Sequence, residues 1–425
     1  MYIWLITIGE PLPTDGFGDR LMRAGILANM LVEKGHKVVW WTSTFDHVRK
    51  RQRYNKETVL EINDRYKIVM LHSIPYKKNV SFLRIFNHYG LARKFKRFSW
   101  GQASPDIVLC SLPPLELSLA AAEYGKKKGV PVILDIRDLW PEIFLELVPL
   151  WGKTVARWCL DPMFRTLRIA CRDATSITGT TKEFVHWGVA QAGRKASHLD
   201  RDFPMGYRKS APGIEENRKS EAFWKEKGIL KENDEFIVSF FGTIGRQFDI
   251  KTVIQAARIL KSKEIPIRFV LCGSGDKLEM YKKMARDCEN VVFPGWVGEV
   301  EIWTLMKLSS VGLAPYVNSN NFNMNLPNKP VEYLSAGLPV VTCLGGTLRS
   351  LLLSYNCGGV YKDGDAEDLS SILIRLYNDK EELQHMSSNA RSLYKERFMA
   401  EKVYTDMINH LRNISEDWKK RSVQH

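Results

Sequence analysis

Short apolar runs alternate with amphipathic segments along this chain, and midway the alternation starts again. The runs fall at 3–8, 37–41, 66–71, 107–110, 130–134 and 176–178, then at 236–241, 267–272, 291–293, 311–314 and 339–343. Runs this short and this apolar suit strands buried on both faces. The segments between them, among them 19–33, 115–126, 250–261, 277–288, 299–308 and 365–377, carry helical periodicity. Strand–helix alternation builds parallel sheets covered on both sides. The expected fold class is therefore α/β, with two doubly wound, Rossmann-like domains facing a cleft at the carboxyl ends of their strands. A chain of 425 residues is also too long for one ordinary core. The boundary is expected near 205–221, because 206–220 is polar, poor in strand formers and contains Gly and Pro. Beyond about residue 379 only helical patterning is left.

Composition narrows the class. Hydrophobic content of 44% and charged content of 26% are those of a soluble globular protein. No apolar run approaches the ~18–20 residues that span a bilayer. Residues 2–8 lack a basic leader and a small-residue cleavage site, so they read as a first strand, not a signal peptide. The seven cysteines (Cys110, Cys159, Cys171, Cys272, Cys288, Cys343 and Cys357) are scattered and never form C-x-x-C. That spacing fits a reducing cytoplasm and no disulfide or zinc framework. The net charge of +14 is concentrated: residues 1–205 hold 31 Lys/Arg against 20 Asp/Glu. The two halves are expected to meet different partners.

Chemistry points first to the stretch Leu326, Pro327, Asn328, Lys329, Pro330, Val331, Glu332, which opens a short helix closing on Gly337. A helix N-terminus offers free N–H groups and the positive end of a dipole, which suit a phosphate. Glu332, about one turn in, could accept hydrogen bonds from neighbouring hydroxyls. An ordinary αβ unit with a locally paired Glu is the competing reading. Gly242, Gly245 and Arg246 occupy the loop after the first strand of the second half, where a guanidinium would meet a diphosphate; a solvent-facing Arg is the alternative. Gly16 and Gly18 hold the matching place in the first half. Neither that loop nor Gly273-Ser274-Gly275 completes the G-x-G-x-x-G dinucleotide fingerprint.

Asp138 follows a strand directly, in a stretch with Asp135, Arg137, Trp140 and Glu142. Such a cluster is costly to bury unless paired or functional, and a structural Arg137–carboxylate pair is the alternative. Asp200-x-Asp202 and Asp363-x-Asp365 have a metal-binding form but read better as an exposed bend and a helix cap. No metal site and no cofactor is expected. Residues 77–98 carry Lys77, Lys78, Arg84, Arg93, Lys94, Lys96 and Arg97 without an acid, interleaved with aromatics. That mixture suits an anionic bilayer surface; single-stranded nucleic acid or a plain solvated helix would also fit. Residues 151–172 look similar but weaker.

In this order the motifs resemble the family-4 glycosyltransferases of the GT-B fold. The matching residues include Gly35-His36, 135–141, 203–207, 241–246, 273–275, 294–297, 326–340 and 365–398, so the resemblance covers essentially the whole chain. It is nearest to the bacterial branch building O-antigen, capsule and similar polysaccharides, L-fucosamine and N-acetylhexosamine transferases among them. The resemblance implies a retaining, metal-independent transferase moving a sugar from a nucleotide-sugar donor, with UDP the expected nucleotide, to a polyprenyl-diphosphate-linked saccharide acceptor. It would work in the cytoplasm, peripheral at the inner face of the plasma membrane, with no nucleic acid as partner. Domains of 1–205 and 206–398 would follow, the first on the acceptor side and the second binding the donor, with 399–425 crossing back. Glu332 would hold the ribose, N–H groups around Asn328, Lys329, Pro330 and Val331 the diphosphate, and Val297 would present backbone to the base. Gly16, Gly18, Gly242 and Gly273 would line the donor site. Arg246 would neutralise the leaving nucleotide, and Asp138 would sit beside the reacting carbon.

Two departures stand out. Met324 occupies the place of a second family Glu, whose role could pass to Asn323 or Asn325. No Lys follows Arg246 at the usual spacing, and Lys329 could supply that charge. A nucleotide-sugar 2-epimerase or hydrolase of the same fold is the alternative enzyme; a non-enzymatic binding protein would leave Arg246 and Glu332 without purpose.

Overall fold

The computed structural model describes residues 1–16, 20–209, 211–229 and 235–423. The chain divides into two compact units, one made of 1–204 with 401–425, the other of 205–400.

The first unit is built on β1 (Tyr2–Ile6), β2 (Lys37–Ser43), a small ribbon of β3 (Phe45–Asp46) and β4 (Arg51–Gln52), then β5 (Thr58–Asn63), β6 (Tyr66–Leu71), β7 (Ile107–Leu112), β8 (Val132–Ile136), β9 (Ser176–Gly179) and β10 (Arg201–Asp202). Eight of these form one sheet in the order β10-β9-β8-β7-β1-β2-β6-β5. All its pairings are parallel except β5 with β6. The central strands are apolar on both faces because helices cover both. They are α1 (Arg23–Glu33), α2 (Phe82–Ser99), α3 (Leu115–Lys128), α4 (Glu142–Leu145), α5 (Lys153–Cys159), α6 (Asp161–Asp173) and α7 (Lys182–Ala192). Ser81 caps α2 and Thr181 caps α7 through their hydroxyls. Within the core the Trp41 ring stands 5.1 Å from Trp4 and 5.2 Å from Phe95 of α2.

The second unit carries β11 (Phe236–Phe241), β12 (Ile267–Cys272), β13 (Val291–Val292), β14 (Val311–Ala314), β15 (Val340–Thr342) and β16 (Gly358–Val360), all parallel in the order β13-β12-β11-β14-β15-β16. Its helices are α8 (Ile214–Glu226), α9 (Ile250–Ser262), α10 (Leu278–Met284), α11 (Glu299–Leu308), α12 (Asn320–Met324), α13 (Asn328–Ala336), α14 (Gly346–Ser354), α15 (Ala366–Asn378) and α16 (Lys380–Arg397). The final helix, α17 (Ala400–Val423), joins the first unit from Glu401 onward. There His410 Nε2 lies 3.0 Å from the Leu199 carbonyl, and the Trp418 indole donates to the Gly129 carbonyl at 2.8 Å.

The division between the units falls at 204–205, at the edge of the expected stretch, and α8 begins inside that stretch. Trp224 of that helix is fully buried, its indole donating to the Glu301 carbonyl. One expectation, the exposed bend at Asp200, needs correction: the buried Asp200 carboxylate accepts two bonds from Arg194 and one from the Ile177 amide. Asp365, by contrast, caps α15 as expected. The antiparallel edge strand β5 was not foreseen at all.

Candidate functional site

Strand order reverses between β11 and β14, the place where open α/β sheets bind ligands beyond their strand ends. Two loops meet backbone to backbone there. Gly242 N donates to Cys272 O, Ile244 N to Ser274 O, and Gly273 N to Gly295 O, at 2.7–3.0 Å. A Cβ on Gly273 would sit 1.7 Å from the Gly242 carbonyl oxygen, and one on Gly275 would sit 2.1 Å from that of Ile244. Side chains at either place would part the loops. The 295 loop is thereby joined to the 273 loop, and it carries the buried Val297 beside exposed Trp296.

From the β14 side comes α13. No side chain caps its N-terminus, since Pro327 holds the cap position. Pro327 and Pro330 have no N–H, so the expected cradle narrows to the amides of Asn328, Lys329 and Val331. Lys329 turns back over the glycine loop. Its ammonium lies 5.0 Å from the centre of the Phe248 ring and 2.7 Å from where a Cβ on Gly242 would be. Gly242 has φ +151°, so both its conformation and its lack of a side chain admit this lysine. One turn on, Glu332 is 3% exposed. Its charge helps burial hold the Tyr316 and Tyr333 phenols above their ordinary range.

Arg246 is exposed and lines a hollow of about 550 Å³ with Phe248, Asp249, Lys251, Lys277 and Tyr281. Glu332 and Lys329 are not part of that lining. Gly242, Gly273, Lys329 and the start of α13 are thus in one place, joined through Phe248 to the hollow that holds Arg246. Asn323, a candidate for the missing Glu, accepts from the Gly345 amide at 3.0 Å and donates to Asn318.

In the first unit the loop after β1 is anchored by Arg53, which pairs with Asp15. Gly16 beside it is exposed with φ +120°; Gly18 lies outside the described residues. Arg137 belongs to a structural network, as the alternative reading had it. It pairs with Glu10 and Asp135, while the buried Arg23 grips Asp135 through two bonds of 2.9 and 3.0 Å. The Glu10 carboxylate in turn accepts from the Ala24 amide, fixing the start of α1. Asp138 is half-buried beyond β8, and its charge acts on Arg84.

The basic segment divides. Lys77, Lys78, Arg93 and Arg97 are exposed. Lys94 pairs with Glu57 and Lys96 with Glu123, which tempers their surface charge. Arg84 is only partly exposed: its guanidinium stacks 4.6 Å over Trp140 and donates to the Asn79 carbonyl, and burial lowers its basicity. The apolar exposure is larger than the sequence suggested. Phe82 is 81% exposed, and Leu150, Trp151 and Trp158 are 83%, 87% and 80% exposed. Among the described residues no helix is long and apolar enough to cross a membrane.

Residues 222–393, which lie within the second unit, match the family model described as "Glycosyl transferases group 1". The chain is 26% identical to the amylovoran biosynthesis glycosyltransferase AmsK of Erwinia amylovora over 38% of its own length and 41% of that protein. It is 24% identical to the putative teichuronic acid biosynthesis glycosyltransferase TuaH of Bacillus subtilis over 70% of this chain and 77% of that one. Among solved structures it resembles a sucrose-phosphate synthase from Thermosynechococcus elongatus (TM-score 0.70, 15% identity, 97% and 98% of the two chains). It also resembles Anabaena HepE in complex with UDP (TM-score 0.65, 14% identity, 97% and 99%). The fold is GT-B.

Proposed function

We propose that this protein is a retaining, metal-independent glycosyltransferase of polysaccharide biosynthesis. Its donor is a UDP-sugar and its acceptor a saccharide carried on a polyprenyl diphosphate at the inner membrane face. The observation that carries this is Lys329 folded against Gly242 at an uncapped helix N-terminus, with buried Glu332 one turn behind. A cation and a helix end side by side stabilise a departing diphosphate. A carboxylate set back from them matches ribose hydroxyls. In this reading Lys329 replaces the lysine absent after Arg246, Arg246 meets the nucleotide from the neighbouring hollow, and Val297 offers backbone to the base.

The acceptor hydroxyl attacks the anomeric carbon on the face from which the nucleoside diphosphate leaves, with Asp138 beside it. The new C–O bond forms as the sugar–phosphate bond breaks, and the departing phosphate oxygen takes the hydroxyl proton. The match to HepE with UDP supports the choice of base, and the names of AmsK and TuaH support polysaccharide synthesis. The exposed aromatics of the first unit favour this over a 2-epimerase or hydrolase, whose soluble substrates have no use for them.

UDP at a hundredfold excess over its Kd is expected to raise the midpoint of thermal unfolding by about 5 °C or more. GDP, dTDP and uridine should do markedly less. Sugar transfer from a UDP-sugar to a lipid-linked acceptor should survive EDTA. No response to any nucleoside diphosphate would end the donor reading.

A further inference from the structure

A second polar cluster in the first unit has no part in the donor site. It gathers beyond the carboxyl ends of neighbouring strands: His47 and Lys50 between β3 and β4 in the segment that follows β2, Tyr76 and Asn79 after β6, Glu116 at the start of α3 after β7, and Trp140 after β8. Helix α2 adds Arg84 and His88. His47 Nδ1 lies 2.7 Å from the Tyr76 hydroxyl and 3.3 Å from Lys50 Nζ, which donates to Asn79. The Lys50 ammonium and the Arg84 guanidinium both stand over the Tyr76 ring, at 5.0 and 5.9 Å.

Two observations indicate a missing partner. Arg84 Nε, both ring nitrogens of His88 and Glu116 Oε2 are buried without a hydrogen bond, and His88 and Glu116 are only 1% and 7% exposed. The 3.7 Å between His88 Nδ1 and Glu116 Oε2 is too long for them to satisfy each other. Secondly, among the described residues no carboxylate lies within ion-pair distance of Lys50 or Arg84. Asp138 and Glu116 reach Arg84 only through space, and burial pushes the Glu116 carboxyl up to about 7. Lys50 is pulled down to about 8, by burial first and then by Arg84. Lys50 itself holds φ 54°, in the left-handed region, as do Glu264 and Asn356.

We propose that Lys50 and Arg84 form a subsite for a phosphoryl group, with His88 and Glu116 receiving hydroxyls next to it. Two cations of different shape, a fork and a point charge, with no carboxylate partner among the described residues, suit a dianion better than a single carboxylate. The assignment rests on reading the first unit as the acceptor side, and it adds that the acceptor is recognised through phosphate. That phosphate could be borne on a lipid or on a soluble molecule.

The test uses the full chain with UDP already saturating, so that failure of the donor reading shows first and separately. Inorganic diphosphate is then titrated while thermal unfolding is followed, with glucuronate as the carboxylate control. Lys50→Asn and Lys50→Gly suit the left-handed backbone, so both should fold at least as stably as the parent. Diphosphate should stabilise the parent further, and each variant should need roughly tenfold more of it or above. Glucuronate should do little. Equal responses in parent and variants, no response in the parent, or a stronger response to glucuronate would overturn the proposal. Flotation with vesicles containing phosphatidic acid identifies the source: dependence on Lys50 there means a lipid-borne phosphate, and dependence with soluble diphosphate alone means a free one.

Discussion

Glu332→Gln should lower kcat/KM for the nucleotide-sugar by about 10²–10³-fold while leaving the fold intact. On the proposed reading two charge-assisted bonds to ribose hydroxyls are at stake, each contributing about 1.5–3 kcal/mol. The side chain is 3% exposed on α13, beside Tyr316 and Tyr333, so an amide of the same shape fills the space without a cavity. The midpoint of unfolding should stay within a few degrees of the parent. Steady-state kinetics with a UDP-sugar checks the first part and calorimetric melting the second. A variant with near-parental kinetics would mean that Glu332 is the locally paired carboxylate of an ordinary αβ unit.

The second large effect is expected at the membrane. Trp151 and Trp158 are almost wholly exposed, with Leu150 between Pro149 and Trp151, and Phe82 and Leu83 open α2. Burying one such side chain in a bilayer interface contributes about 1.5–3 kcal/mol. Lys77, Lys78, Lys153 and Arg157 nearby in sequence each add about 1 kcal/mol on an anionic surface. Trp151→Ser with Trp158→Ser should therefore weaken flotation with vesicles rich in phosphatidylglycerol by roughly two orders of magnitude, without changing UDP binding. Charge alone would predict that this pair matters little and that salt abolishes binding entirely, so a flotation profile unchanged by the two serines would remove the aromatics from the account.

How much of this was legible depended on burial symmetry. Three strands apolar on both faces have the limits their runs predict: β11, β12 and β14 begin and end where the runs at 236–241, 267–272 and 311–314 do, whereas β1, β7, β8 and β15 are displaced or resized by up to two residues at an end. β5 was missed because it is an edge strand whose residues alternate between half-buried and exposed, so it has no apolar run. Helix α8 leaves no clear sequence signal because only Ser220 and Trp224 anchor it, and one Trp in a polar stretch gives no period. At the site, the α13 start and the glycine loops were visible as turn chemistry. The contact of Lys329 with Gly242 was not, since it joins residues far apart in sequence. Arg84 looked like one more surface cation, because nothing local shows that Trp140 lies beneath it. The Lys50–Arg84 cluster escaped for the same reason: its members come from four strand ends and a helix.

The central claim is that a nucleoside diphosphate is held by the Lys329 ammonium together with the amides that open α13. Isothermal titration of UDP into the parent and into Lys329→Ala tests it most directly. The account predicts that the variant binds UDP about tenfold more weakly or worse, while uridine binds both alike and poorly. Equal affinity of the two proteins for UDP would contradict it.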